Sequence, residues 1–226
     1  MSKCALLKGK SLFDRLCTFG EVWMVVALCS MVLMGCVFAG KKSNIVYQYS
    51  LDYKSPSFAH LPPIDAAITV SRFSSLEAYR GLSMVYSSSP FKRDVYNYYR
   101  WRVAPGGMTS DYLLRDFRSS GLFKAVFSSA EYESTHYLLQ GEVAKFLEVD
   151  EDSGESRAEL SVSITLLDTR QTDVNKQVMF QRSYVTSAPV AERTPRGFAA
   201  GMSKAMSKLS EDVVRDVYRA VLNEKR

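Results

Sequence analysis

From Ala158 to Leu166 the chain alternates without a break. Ala158, Leu160, Val162, Ile164 and Leu166 are apolar, and Glu159, Ser161, Ser163 and Thr165 between them are polar. A side-chain period of two puts all five apolar residues on one face of a strand. That pattern demands a sheet with one wet face and one packed face. The cover for the packed face is legible further on. Phe198, Met202, Ala205, Leu209, Val213, Val217 and Ala220 recur every three or four positions, while Lys204, Lys208, Glu211 and Arg215 fall elsewhere on the wheel. This predicts one amphipathic helix of about seven turns beginning after Pro195. Its stripe is modest and its charges are mixed, which favours packing on the sheet over lying on a membrane.

The remaining elements follow from the same two periods. Strands are expected over 47–53, 64–73, 82–86, 95–103 and 123–128, then over 137–149 and 176–186 on either side of the alternating segment. The last three form an antiparallel meander. The acidic run Asp150-Glu151-Asp152-Ser153-Gly154-Glu155 is a solvated turn, since its spacing does not match a calcium loop. Pro105-Gly106-Gly107 reads as a break in the chain. A helix capped by Thr109 or Ser110 then runs through Leu113, Leu114 and Phe117 and ends at Gly121, where a left-handed residue is favoured. The sum is an α+β two-layer sandwich: a mostly antiparallel sheet of about six or seven strands with two helices packed on one face.

The cysteines set the chemistry aside. All four, Cys4, Cys17, Cys29 and Cys36, precede residue 37 of a 226-residue chain. A disulfide scaffold, a thiolate zinc site and a cysteine nucleophile are therefore excluded from the body of the protein. His60 and His136 are the two histidines, too few for a multi-histidine metal site, and both read as structural or exposed. No Gly-x-Ser-x-Gly elbow, His-Glu-x-x-His, phosphate loop or dinucleotide fingerprint is present. No cofactor or metal is expected, no catalytic residue is assigned, and the chain reads as a non-enzyme.

The cysteines also carry an address. Lys3, Lys8, Lys10 and Arg15 precede an apolar run from Val22 to Ala39, the layout of an export signal. It can be a cleaved signal, a retained transmembrane helix at the short end of bilayer-spanning length, or a buried helix. The run closes on Leu33-Met34-Gly35-Cys36, which resembles the lipobox of bacterial lipoproteins. There the Cys thiol takes a diacylglyceryl group, and a small residue at −1 admits a dedicated peptidase. This implies cleavage between Gly35 and Cys36, lipidation of Cys36 and loss of residues 1–35. Residues 36–46 are then a lipidated tether and 47–226 the domain. The basic head keeps its own side cytoplasmic, so the body faces the periplasm. Val37 after the Cys, in place of Asp, favours the outer membrane. The alternative is an inner-membrane single-pass protein with a periplasmic domain.

The net charge of +5 falls to +3 when four bases and two acids leave with residues 1–35. That is too little to argue for a polyanion partner. The segment from Phe91 to Val103 interleaves Lys92, Arg93, Arg100 and Arg102 with Phe91, Tyr96, Tyr98, Tyr99 and Trp101. A periplasmic site removes nucleic acid as its partner. Two readings stay open: a protein or lipid-headgroup contact, or a strand that packs its rings and points its bases to water.

The order of these features resembles a family, the ABC-type transport auxiliary lipoproteins, which include the paraquat-inducible protein C type. Its signs are Tyr49-Ser50-Leu51, Arg80-Gly81-Leu82-Ser83-Met84-Val85-Tyr86, Tyr98-Tyr99-Arg100-Trp101 with Pro105, Ser120-Gly121-Leu122-Phe123, the strand ending Leu166-Leu167-Asp168, and the Ala-rich final helix. They span about 47–222. Gly106-Gly107 departs from the pattern, where the family often has a second proline. The resemblance implies a non-enzymatic, periplasm-facing lipoprotein of an ABC/Mce-type intermembrane lipid transport system. Its implied partners are an Mce-type tunnel protein, docked at the outer membrane, and that protein's ABC transporter. Homo-oligomerisation and any bound ligand stay open. An envelope-assembly lipoprotein and a periplasmic hydrolase are the rivals.

Overall fold

In the computed structural model the chain separates into two units, Met1–Asn44 and Ile45–Arg226. The structure describes residues 45–131, 135–151 and 154–225. The second unit contains nine strands: β1 Tyr47–Tyr49, β2 Ile64–Val70, β3 Ser74–Ser75, β4 Ser83–Ser87, β5 Asp94–Trp101, β6 Phe123–Ser128, β7 Tyr137–Asp150, β8 Ser156–Asp168 and β9 Val178–Pro189. Its helices are α1 Pro105–Ser120, the single turn α2 Val174–Gln177 and α3 Pro195–Glu224.

The expected meander is present. β7 pairs antiparallel with β8, and β8 with β9. On β8, Ala158, Leu160, Val162, Ile164 and Leu166 are all fully buried. α3 covers them, as its period predicts: Phe198, Met202, Leu209, Val213 and Val217 are fully buried and the helix packs on β8 and β9. Burying one such side chain stabilises the fold by about 1.5–3 kcal/mol. Thr194 caps α3 by accepting the Gly197 N–H at 3.0 Å, and Pro195 takes the first helical position.

The sheet as a whole is not the mostly antiparallel layer the meander suggested. Five of its eight strand pairings are parallel: β1–β5, β2–β6, β2–β7, β3–β7 and β4–β7. β7 is the cause. One of its edges goes to β8 along its whole length. The other is shared by three short strands, with Leu139 beside Val70, Val143 beside Ser75 and Leu147 beside Val85. The sheet therefore forks along β7 and curls. One branch is β2–β6; the other is β4–β5–β1. The result is a mixed α+β fold of nine strands and three helices rather than a two-layer sandwich.

The start of α1 is a second correction. Thr109 and Ser110 do not cap it. Both are buried inside a helix that begins at Pro105, after Ala104. Proline suits that position because its missing N–H would be unpaired there anyway. Gly106-Gly107 is thus a first turn, not a break. A Cβ on Gly106 would lie 2.6 Å from the backbone oxygens of both Phe73 and Ser74. The bare Cα lets α1 seat directly on the chain around β3. At the other end Gly121 closes α1 with φ 65°, the left-handed cap expected of it.

Trp101 ties the β5 branch to β7 and α3. It is fully buried, with its ring edge-on to Phe146 of β7 and Phe198 of α3 at 5.2 and 5.3 Å. Substitution at Gly106 tests the close seating of α1. Gly106→Ala should destabilise the domain by about 2 kcal/mol in urea titration, because backbone must move to admit the methyl group. Gly81→Ala, which meets nothing within 4 Å, should leave the midpoint unchanged.

Candidate functional site

The aromatic and basic segment singled out in the sequence becomes the tip and second strand of the β4–β5 hairpin, with β1 beside it. Its rings pack on one another. Tyr86 lies 4.9 Å from Tyr96, Tyr96 meets Tyr99 edge-on at 6.3 Å, and Tyr99 stacks on Tyr47 at 5.5 Å. Tyr49 joins the row at 6.2 Å from Tyr99. The row exists because β5 is irregular. Between the Val85–Val95 and Ser83–Arg100 pairs, β4 advances two residues and β5 five. That bulge breaks the alternation, and the shifted Tyr99 pairs with Tyr47 of β1.

The segment's rings pack as the strand reading expects, but three of its bases do not simply point to water. Its bases are engaged locally: Arg100 donates to Ser83 Oγ at 3.0 Å, Arg93 to Ser87 Oγ at 2.7 Å, and Lys92 pairs with Asp94 at 3.0 Å. Yet Ile45, Val46, Tyr47, Leu82, Phe91, Val95 and Tyr98 are all exposed, a concentration of large apolar groups on one branch of the sheet. Among the described residues β1 pairs with β5 alone, which leaves its outer edge free. A free edge flanked by exposed tyrosines can add a strand or dock a surface.

Phe91 is the most unusual member. It stands at the hairpin tip at 105% relative exposure, with φ 65°. Among the described residues it is the one non-glycine residue with positive φ. A bulky side chain there strains the backbone. The hairpin is built to hold it. The Lys92 N–H donates to Ser89 O, Ser87 Oγ lies 3.0 Å from the carbonyls of both Ser89 and Lys92, and Arg93 donates to Lys92 O at 2.8 Å. The sequence marked the turn by Ser87-Ser88-Ser89-Pro90, but not the conformation of the residue after it.

Two buried carboxylates hold these elements from within, one beneath the tyrosine row and one where the segment after β1 meets the helices. Glu148 of β7 accepts from Tyr96 Oη at 2.9 Å. Burial raises its carboxyl above the ordinary 4.5; the Tyr96 hydrogen bond opposes the shift, the Asp150 charge adds to it and the Arg193 charge opposes it. Asp116 of α1 is fully buried and accepts from Tyr53 Oη, Ser55 Oγ, Arg115 Nε and Ser210 Oγ, at 2.6 to 2.8 Å. It fastens the segment after β1 to both long helices. Arg115 also lies 4.3 and 4.6 Å over the rings of Tyr53 and Tyr112. Burial and the hydrogen bond to Asp116 push the Tyr53 phenol far above its usual range.

Gly35 and Cys36 lie outside the described residues. His60 is exposed in a loop. His136 is exposed on the rim of a 390 Å³ cavity with Asp65, Lys124 and Lys225. Among the described residues no three His, Cys, Asp or Glu side chains could hold a metal. In the acidic turn Glu151 pairs with Arg157, and Asp150 accepts from Ser156 Oγ at 2.6 Å.

The profile described as "ABC-type transport auxiliary lipoprotein component" matches residues 49–214, from β1 to well into α3. The chain belongs to this family. No curated protein matches it at an accepted level of significance. Among solved structures, this auxiliary lipoprotein is similar to a Xanthomonas campestris protein of the family-model DUF330, with TM-score 0.71 and 17% identity over 79% of this chain and 98% of that one. A second structure, of an uncharacterized protein, gives TM-score 0.56 and 14% identity over 73% and 99%. These likenesses are of fold. The family is one of transport accessories, not of enzymes, and of lipoproteins, which are held at the membranes of the cell envelope. Among the described residues no helix is long and apolar enough to cross a membrane.

The backbone strain at Phe91 and the burial of Glu148 both cost the lipoprotein stability. Phe91→Gly should stabilise the fold by about 0.5–1 kcal/mol, read by urea denaturation, because it relieves positive φ and forfeits no burial. Glu148 sets a pH trend. A carboxyl raised in the fold favours folding most below its unfolded value, and that contribution is lost as pH rises through the folded value. Glu148→Gln, which still accepts from Tyr96, should raise the Tm at pH 7.5, and the gain should shrink toward pH 4.

Proposed function

We propose that this auxiliary lipoprotein is a non-enzymatic, periplasm-facing subunit of an ABC/Mce-type intermembrane lipid transport system. An acylated Cys36 holds it at the outer membrane, and its domain docks the far end of the tunnel protein. The observation that carries the reading is the family match, which runs through nearly the whole folded domain rather than through a shared fragment. The exposed tyrosine branch and the free β1 edge supply the docking surface such an accessory needs.

The anchor is read from Leu33-Met34-Gly35-Cys36. Three acyl chains on one residue hold a protein firmly, where a single chain gives marginal binding. In cells fed labelled palmitate, the chain should carry label, and Cys36→Ser should lose it and accumulate as the longer precursor. Label retained on Cys36→Ser would sink the anchor. Affinity purification of the full chain from solubilised envelopes should recover a tunnel protein with its permease and ATPase. Recovery of outer-membrane assembly proteins instead would decide for the envelope-assembly reading.

A further inference from the structure

We propose that the β4–β5 hairpin tip is a membrane-contact element that inserts Phe91 into the headgroup layer of the membrane to which the chain is anchored. The inference rests on the anchored-lipoprotein reading and deepens it. A wholly exposed phenylalanine, held in a strained left-handed backbone by hydrogen bonds from Ser87, Lys92 and Arg93, is presented rather than left over. It needs an apolar partner outside the domain.

Three observations point to lipid. The first is direction. β1 runs parallel to β5, with Tyr47 beside Tyr99. The chain thus enters the domain from the end of β5 where the hairpin lies. The second is reach. Cys36 is nine residues before Ile45, an extended span of about 30 Å. From Tyr99 back to Asp94 is five residues of β5, at most about 17 Å and less across the bulge. The tether is long enough for the tip to meet the bilayer and short enough to keep it near. The third is chemistry. Lys92 and Arg93 follow Phe91 directly; Lys92 pairs with Asp94 at 3.0 Å, so the two bases and that acid leave the tip one net positive charge, which beside an exposed ring suits an anionic, amphipathic interface. One side chain at a hairpin tip inserts in lipid without the broad complementary area that a stable protein interface requires.

The test uses the full acylated chain reconstituted into vesicles of phosphatidylethanolamine and phosphatidylglycerol with brominated acyl chains. Phe91→Trp places a reporter at the tip, and Val185→Trp places one at an exposed site on β9. Both substitutions are at the surface, and an unchanged near-ultraviolet dichroism shows that the fold is kept. With the wild-type emission of buried Trp101 subtracted, the Phe91→Trp signal should move to the blue and be quenched about twofold relative to that of Val185→Trp. Equal, water-like emission from both overturns the inference. So does quenching of Phe91→Trp that appears only when a partner protein is added, which would make the tip a protein contact. An anchored wild type with an unquenched Phe91→Trp counts against this inference alone.

Discussion

The packed face of β8 exists only because α3 lies on it. Five fully buried side chains in strict alternation and the buried stripe of α3 are two halves of one apolar interface. With no cysteine after Cys36, the described domain rests on that interface and on hydrogen bonds. Every other element is placed by reference to it. Trp101 reaches the interface from β5 through Phe146 and Phe198. α1 lies beside α3 and covers the β6 side of the sheet. The tyrosine branch gives Met84, Val85 and Trp101 to the core and leaves Tyr47, Val95 and Tyr98 outside it.

Asp116 shows how the fold tolerates charge near that core. A buried carboxylate is costly unless its lone pairs are used. Here four donors from three parts of the chain use them. The same group therefore converts a liability into a clasp between the entering segment, α1 and α3. Tyr112, which donates to Leu51 O, and the arginine sandwiched with Tyr53 and Tyr112 fix the same junction. The segment that follows β1 is thus fastened to both long helices, which fixes one end of the strand by which the chain enters.

What was legible in the sequence was local. The meander, α3 with Pro195 at its start, and the Gly121 cap follow from periods and terminators that operate within a few residues. The parallel pairings were not legible, because their partners are remote: Ile68 beside Tyr137 and Val85 beside Leu147 leave no spacing signal. β3 is two serines, too short to show any period. Gly106-Gly107 looked like a break because glycine's cost in a helix is a local quantity, while its benefit here, contact with the backbone of Phe73 and Ser74, is not. The aromatic segment was visible as composition. Which rings were spent on packing and which were left outward was decided by a bulge that no pattern announced. Asp116 and Glu148 were missed for a related reason: burial of a charge can be read only from its donors.

The shared edge of β7 has a consequence for the order of events when the chain emerges N-terminus first. β2, β3 and β4 all precede β7 yet can complete their hydrogen bonding only on it. Until residues 137–150 arrive, those strands have open edges and uncovered apolar faces, and α3, which seals β8, comes last of all. Such non-local closure is slow and leaves nascent chains sticky. The domain is therefore one that a cell must keep from aggregating until its final helix is made.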